Sequence, residues 1–444
     1  MNKPLPALLA LCCVATFPQC GQSATRPTVA DFVTVFNAGG ADAISTFYRA
    51  HVQAPPGAPG ARDDEIGDLR ALRAAIGPIK LKSVRDSPRA VVATVKAEHG
   101  WYRFSFMTLP RGGAKPFGAV LGDLALPPLA PNQNIQQYLR SIAAARYFSG
   151  SVLIAKPRSA PFCTAYGTAN RQTGTPNTID TLFNIGSVGK LFTTVAIYQL
   201  LERGTVHLND TIAHWLPDYP NGEASGATVD QLLQMRSGIG DFFSVKFHNA
   251  PHAEIRALAD YLPFFASDPL AFKPGAGERY SNGGYLVLGL IVEKASGEDF
   301  YSYAKEHIFD PAGMMHTAYL TVTGSPAKRA VGYTRRWSGP STWSTPVQSS
   351  QRDEPGRGSS AGGTYSTVGD LLKFSEALRD GTLVKGRYPW NRPGHLVLGG
   401  APGWNAAFLR EDGFTVIVLA NQDPPAAQNL VEEVAPLLRT PKRS

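Results

Sequence analysis

Residues 183–204, FNIGSVGKLFTTVAIYQLLERG, hold Lys190 near their head and then no charged side chain until Glu202. Apolar residues fall on every side of a helix drawn through this run, so the helix it predicts is buried nearly all round. Such a helix needs structure packed on more than one face, which demands a layered domain with a sizeable core. It also takes Lys190 out of water, at a cost of several kcal/mol unless the ammonium finds partners or gives up its proton. The 444 residues allow two or three domains. With 43% hydrophobic and 18% charged residues, and Pro and Gly spread along the chain, a disordered or low-complexity protein is excluded. The formal charge of +8 comes from scattered basic residues without a basic run interleaved with aromatics, so no nucleic-acid partner is expected.

The organisation reads as two bodies behind a leader. Residues 1–24, MNKPLPALLALCCVATFPQCGQSA, place one lysine before a short apolar core and then small residues. That order predicts a secretory signal peptide cleaved near Ala24 and too short to remain as a membrane span. Its removal takes Cys12, Cys13 and Cys20 and leaves Cys163, so no intramolecular disulfide is expected. The mature protein is expected to be secreted or periplasmic, with no stable membrane span. Residues 28–126 read as three helices followed by four alternating strands, a small α+β domain. Its element order and FNAGG turn resemble the nuclear-transport-factor-like cone fold; without a polar constellation, the expected role is structural or docking. A Pro-rich linker covers 127–134. The second body, 132–440, has strands near both ends and a helical middle, so one sheet built from both ends is expected.

A serine at the head of a helix is ordinarily an N-cap, its oxygen taking an orphan backbone N–H. Ser-x-x-Lys also occurs at Ser302–Lys305 and Ser325–Lys328, so the four-residue pattern has little specificity. Context separates the three. Ser325 precedes a proline in a loop, Ser302 lies on an amphipathic helix, and Ser187 alone opens the uncharged run. Positions i and i+3 share a helix face, so the Lys190 ammonium reaches the Ser187 hydroxyl. Desolvation makes the neutral amine accessible as a proton acceptor, and the helix N-terminus favours developing negative charge. GSVGKL lacks the spacing of a phosphate loop, and IGSVG has Ile185 where a Gly-x-Ser-x-Gly elbow needs glycine. His248 and His252 flank Pro251 without a third ligand; neither a metal nor a cofactor is expected.

Longer segments carry a resemblance. FNIGSVGKLFTTVAIYQLLERGTVHLNDTIAHWLPDYP, TVDQLLQMRSGI, FKPGAGERYSNGGYLVLGLIVEKASG and SSAGGTYSTVGDLLKF stand in the order used by the serine β-lactamase-related hydrolases, the class C β-lactamase, DD-peptidase and esterase superfamily. The resemblance implies an α/β fold of the β-lactamase/transpeptidase type, an antiparallel sheet flanked by helices plus an all-helical region. It implies catalysis by Ser187 and Lys190. Of two Tyr-x-Asn candidates, Tyr219–Asn221 lies in ordinary turn chemistry. Tyr280–Asn282 follows FKPG, with Tyr280 93 residues after Ser187. Tyr280 is therefore the expected proton-transfer partner and Asn282 the residue orienting the substrate.

The third motif of the family, Lys or His, any residue, then Gly-Gly, departs here. GHLVLGGAPGWNAAF supplies Gly399 and Gly400 but puts Val397 at the cationic place, with His395 two residues early. His395 would need a local bulge to substitute. The backbone N–H groups of Ser187 and Gly400 are the expected oxyanion hole. The expected function is hydrolysis of a small ester, amide or peptide through an acyl-enzyme on Ser187, esterase- or peptidase-like before β-lactamase. The alternative is a catalytically silent binding protein on a penicillin-recognising scaffold.

Overall fold

The computed structural model describes residues 25–53, 61–87, 90–108, 117–157, 159–321, 328–336, 340–351, 354–386, 394–411 and 413–439. The expected signal peptide and the alternative Ser325 lie outside them. The described residues divide into two compact units, one of Ser149–Tyr333 with those from Ser349 onward, the other of Thr25–Phe148 with Thr334–Gln348. Among the described residues no helix is long and apolar enough to cross a membrane.

The N-terminal unit runs α1 (Thr25–Ala38), α2 (Ala41–His51), α3 (Ala61–Ile76), then β1 (Lys80–Ser87), β2 (Ala90–Ala97), β3 (Gly100–Thr108) and β4 (Phe117–Leu124). The strands form an antiparallel meander in sequence order. Alternation puts Tyr102, Phe104 and Phe106 of β3 into the core. There Phe32 of α1 lies 5.0 Å from Phe104 and 5.2 Å from Phe106 between ring centroids, and Phe36 lies 5.1 Å from Phe104. One face of this sheet is thus covered by aromatic side chains, which gives the unit its own core.

Two segments read from sequence as parts of the second body, helix α4 (Ile135–Ala144) and Thr334–Gln348, cluster with this unit. Trp343 explains the latter: its indole N–H donates to the Trp101 carbonyl at 2.8 Å, and its ring covers Gly100. A Cβ on Gly100 would come 2.1 Å from Trp343 Cδ1, and Gly100 has φ of +131°, so side chain and backbone both require glycine there. Arg336 adds an ion pair to Asp123 at 2.9 Å.

The second unit is built on a five-stranded antiparallel sheet. Its strands are β5 (Gly150–Ala155), β6 (Phe162–Tyr166), and the C-terminal β9 (His395–Ala401), β10 (Trp404–Glu411) and β11 (Phe414–Ala420), in the order β9-β10-β11-β5-β6. Val418 pairs with Val152, so segments more than 250 residues apart share the centre of one sheet, as the apolar runs at both ends predict. A short pair, β7 (Phe183–Asn184) with β8 (Tyr365–Ser366), lies ahead of α5 (Lys190–Glu202). Helix α5 packs on α6 (Asn282–Ser296), while α7 (Val368–Arg379) and α8 (Ala426–Leu438) cover the sheet. Val195, Ala196, Ile197, Leu286, Val287 and Leu288 are all fully buried, the outcome expected of helices without a polar face.

The N-terminal unit also holds a half-buried carboxyl, Glu65, bonded to the Tyr48 hydroxyl. Burial, then the Asp68 carboxylate, pushes Glu65 up to about 6. A folded-state value above the ordinary 4.5 means that the folded protein holds a proton that the unfolded chain releases. Stability of this unit is therefore expected to fall as pH rises from about 4.5 to about 6. Urea midpoints across that range, compared with Glu65→Gln, check it; the variant is expected to flatten that part of the profile.

Candidate active site

The backbone leads into the site through a tight turn. Asn184 Oδ1 accepts from the Gly186 N–H at 2.9 Å, and Gly186 takes φ of +51°, turning the chain into a 3-10 helix, Gly186–Gly189, before α5 begins. The cap of α5 is Gly189, with no side-chain cap bond. Ser187 therefore does not serve as the cap, and its hydroxyl points into a polar cluster instead. Sequence reading put Ser187 on the α-helix itself; the 3-10 turn carries it, and the i, i+3 reach to Lys190 survives because 3-10 spacing eclipses those positions.

Ser187 is 8% and Lys190 5% exposed. Lys190 Nζ donates to the Ala361 carbonyl at 2.5 Å and to Asn282 Oδ1 at 2.6 Å, and lies 3.2 Å from Ser187 Oγ. The first two partners only accept, so a neutral amine satisfies both with its two N–H groups and turns its lone pair to the serine hydroxyl. The protonated amine donates in that direction. Tyr280 OH stands 2.5 Å from Ser187 Oγ, and the Lys190 nitrogen lies 4.7 Å from the Tyr280 ring centre and 5.5 Å from that of Tyr285. Serine, amine and phenol thus form one proton-sharing cluster, assembled from the α5 turn and the start of α6. Ser281 fixes the latter by capping α6, accepting from Gly284 N–H at 2.8 Å.

The third side of the site is β9, the edge strand. Its pairing with β10 runs without a shift from His395↔Arg410 to Ala401↔Trp404, with Val397 opposite Phe408. No bulge brings His395 into the place of Val397, so the His395 alternative fails, and the side chain of Val397 packs on the core. Gly399 and Gly400 lie against the Ser187 turn. A Cβ on Gly399 would come 1.9 Å from the Ile185 carbonyl oxygen and 3.0 Å from Ser187 N. One on Gly186 would come 2.7 Å from Gly400 N, so the backbone of β9 runs directly against the turn that carries Ser187.

Two partners were not read from the sequence. Ala361 contributes only a carbonyl, which no residue type signals. Asp241, in GIGDFF, accepts from Asn282 Nδ2 at 2.6 Å; its position 41 residues before Asn282 hid the pairing. The rejected candidates are accounted for. Asn221 Oδ1 accepts from the N–H groups of Glu223 and Ala224 at 3.0 Å each, an Asx turn. Lys305 pairs on the surface with Asp310 at 2.6 Å. His252 Nε2 lies 2.9 Å from the Phe247 carbonyl. Glu298, Glu306 and His307 come within ligating reach of one another, where His307 bonds the Glu298 carboxylate at 3.0 Å, remote in sequence from the serine cluster.

A sheet closed from both ends, a largely helical middle and a Ser-x-x-Lys met by Tyr-x-Asn define a serine hydrolase scaffold of the penicillin-recognising type. Comparison with known proteins agrees. The Beta-lactamase family model matches residues 132–394. The chain is similar to the Putative penicillin-binding protein PbpX of Bacillus subtilis (strain 168), 31% identical over 252 residues, 57% of this chain and 59% of that protein. It is also similar to Esterase EstB of Burkholderia gladioli, 30% identical over 243 residues, 48% of this chain and 61% of that protein. Among solved structures, the penicillin binding protein from Bacillus halodurans superposes with a TM-score of 0.60 at 30% identity, covering 67% of this chain and 99% of that one. The chain belongs to the Beta-lactamase family, a family of serine hydrolases. It spans about half the length of the curated relatives it matches.

The backbone contact at Gly399 generates a prediction. Gly399→Ala forces the Ser187 turn and β9 apart, and overpacking of this kind costs about 1–3 kcal/mol. The variant is expected to fold while labelling of Ser187 by a fluorophosphonate slows at least about tenfold, followed by intact-mass spectrometry; unchanged labelling would contradict the backbone cradle.

Proposed function

We propose that this protein is an exported serine hydrolase, secreted or periplasmic, that cleaves a small ester or amide through an acyl-enzyme on Ser187. The observation that carries the reading is the Lys190 amine, buried, held by two carbonyl oxygens and aimed at the Ser187 hydroxyl. Ser187 Oγ forms the bond to the acyl carbon while its proton passes into the Lys190–Tyr280 pair. That proton goes on to the leaving alkoxide or amine as the scissile bond breaks, and water then releases the acyl group and returns a proton to Oγ. The N–H groups of Ser187 and Gly400 hold the oxyanion, and Asn282 with Gly399 and Gly400 lines the acyl side. The N-terminal unit, with its aromatic interior, serves as a structural or docking module. Export rests on the pattern of residues 1–24.

Val397 favours an uncharged acyl donor over a penicillin or a peptide C-terminus, because the cation that would meet a substrate carboxylate is replaced by an apolar side chain. Esterase-like activity, or peptidase-like cleavage of a substrate without a free carboxylate at the site, is therefore preferred to β-lactamase activity. The same valine motivates the second reading, a silent binding protein that recognises acyl ligands without turnover.

Intact-mass spectrometry during incubation with p-nitrophenyl butyrate and, separately, a penicillin tests both. The expected result is a transient adduct with nitrophenol release, abolished by at least about a thousandfold in Ser187→Ala. A folded protein that forms no adduct with either reagent would establish the silent reading. Val397→Lys is expected to speed penicillin acylation about tenfold, read as the rate of adduct formation.

A further inference from the structure

Asn282 is the hub of the polar cluster, and an amide is a directional part. Its carbonyl oxygen accepts and its NH2 donates, and the two ends occupy nearly the same space, so only the neighbours decide which faces Lys190. With the carbonyl end inward, Asn282 takes a hydrogen bond from Nζ at 2.6 Å. With the NH2 end inward, two donors would face each other and the amine would lose one of its acceptors.

The deciding neighbour is Asp241. Its Oδ2 accepts from Asn282 Nδ2 at 2.6 Å, while its Oδ1 accepts from the Phe243 N–H at 3.0 Å, which fixes the carboxylate on its own turn. A carboxylate is an acceptor only, so it tolerates the amide in one orientation. Resting on the hydrolase reading above, we propose that Asp241 is a positioning residue that fixes the polarity of Asn282, so that the carbonyl end meets Lys190 and the amine keeps its lone pair for Ser187. Asp241 also places an anion one amide away from a buried amine.

Lys190 is faced from several elements. From the α5 turn there is Ser187; from the start of α6, Tyr280, Asn282 and Tyr285; from the 241 turn, Asp241 through Asn282; from the 361 loop, a backbone carbonyl. On β9 the nearest cationic place holds Val397, with His395 farther along the strand. Asp241 is thus a carboxylate that hydrogen bonds link to the amine through Asn282.

Opposite substitutions test the assignment by sign. Removing the anion in Asp241→Asn weakens the ammonium form of Lys190, so the acid limb of the kcat/KM profile for p-nitrophenyl butyrate is expected about one pH unit lower, with kcat down at least about tenfold. In Asn282→Asp the carboxylate meets Nζ directly, and the limb is expected to move higher. The double exchange Asp241→Asn with Asn282→Asp keeps the higher limb. A loss of rate with the limb unmoved in both single variants, or moved the same way in both, would reduce Asp241 to a structural role and overturn the proposal. The 13C resonance of the Lys190 ε-carbon, titrated in Ser187→Ala with and without Asp241→Asn, reads the same shift without turnover. Inactivity of the parent with that NMR shift intact would therefore count against the hydrolase reading alone, and an unmoved resonance against Asp241.

Discussion

The amine of Lys190 is the point on which the second unit depends. A lysine at 5% exposure must be supplied with acceptors or it will not stay. Its partners come from three places in the chain, two of them remote: Ser187 three residues before it, Asn282 at the start of α6, and the carbonyl of Ala361 in the loop ahead of β8. Burying the uncharged interior of helix α5 against α6 is what brings these segments together, so the hydrophobic core and the polar cluster are two consequences of one packing arrangement. The core sets the address of the amine, and the amine in turn selects the one arrangement of α6 and the 361 loop in which its N–H groups are met.

Around that cluster, backbone approaches backbone with no side chain between. Gly186, Gly399 and Gly362 each face main-chain atoms of the neighbouring segment at distances that would clash with a Cβ. The reason is chemical as well as steric. An oxyanion hole is made of N–H groups from separate segments aimed at one point, and only strands that can touch will converge two such groups closely. An edge strand suits this, because half of its N–H groups face away from its single partner. The ladder of β9 with β10 is regular along its whole length, so the close approach to the Ser187 turn comes from the glycines and not from a bulge.

Much of this was legible in the sequence. The uncharged run announced α5, the matching apolar runs at both ends announced the shared sheet, and FKPG before Tyr280 separated the true Tyr-x-Asn from the turn at Tyr219. What stayed hidden has physical causes. The carbonyl of Ala361 carries no side-chain signature. Asp241 acts through another residue, so its spacing from Ser187 means nothing until the fold is known. Trp343 assigns its segment to the N-terminal unit through contacts with Trp101 and Gly100, more than 240 residues away, and neither periodicity nor composition reports a contact of that range.

Val397 and Asp241 together invert the electrostatics that the family pattern would lead one to expect. A cation on the edge strand would attract carboxylate-bearing substrates and stabilise the Tyr280 anion, leaving Lys190 as the second of two positive charges in the site. Here the edge strand is apolar, and the charge beyond Asn282 is negative. The proton balance of Ser187 is thereby set from the α6 side, by an anion acting through one oriented amide. Position 397 on the edge strand thus has no cation to meet a substrate carboxylate. Selectivity must then come from shape and from the oxyanion hole, which act on the scissile carbonyl itself, whatever alcohol or amine it carries.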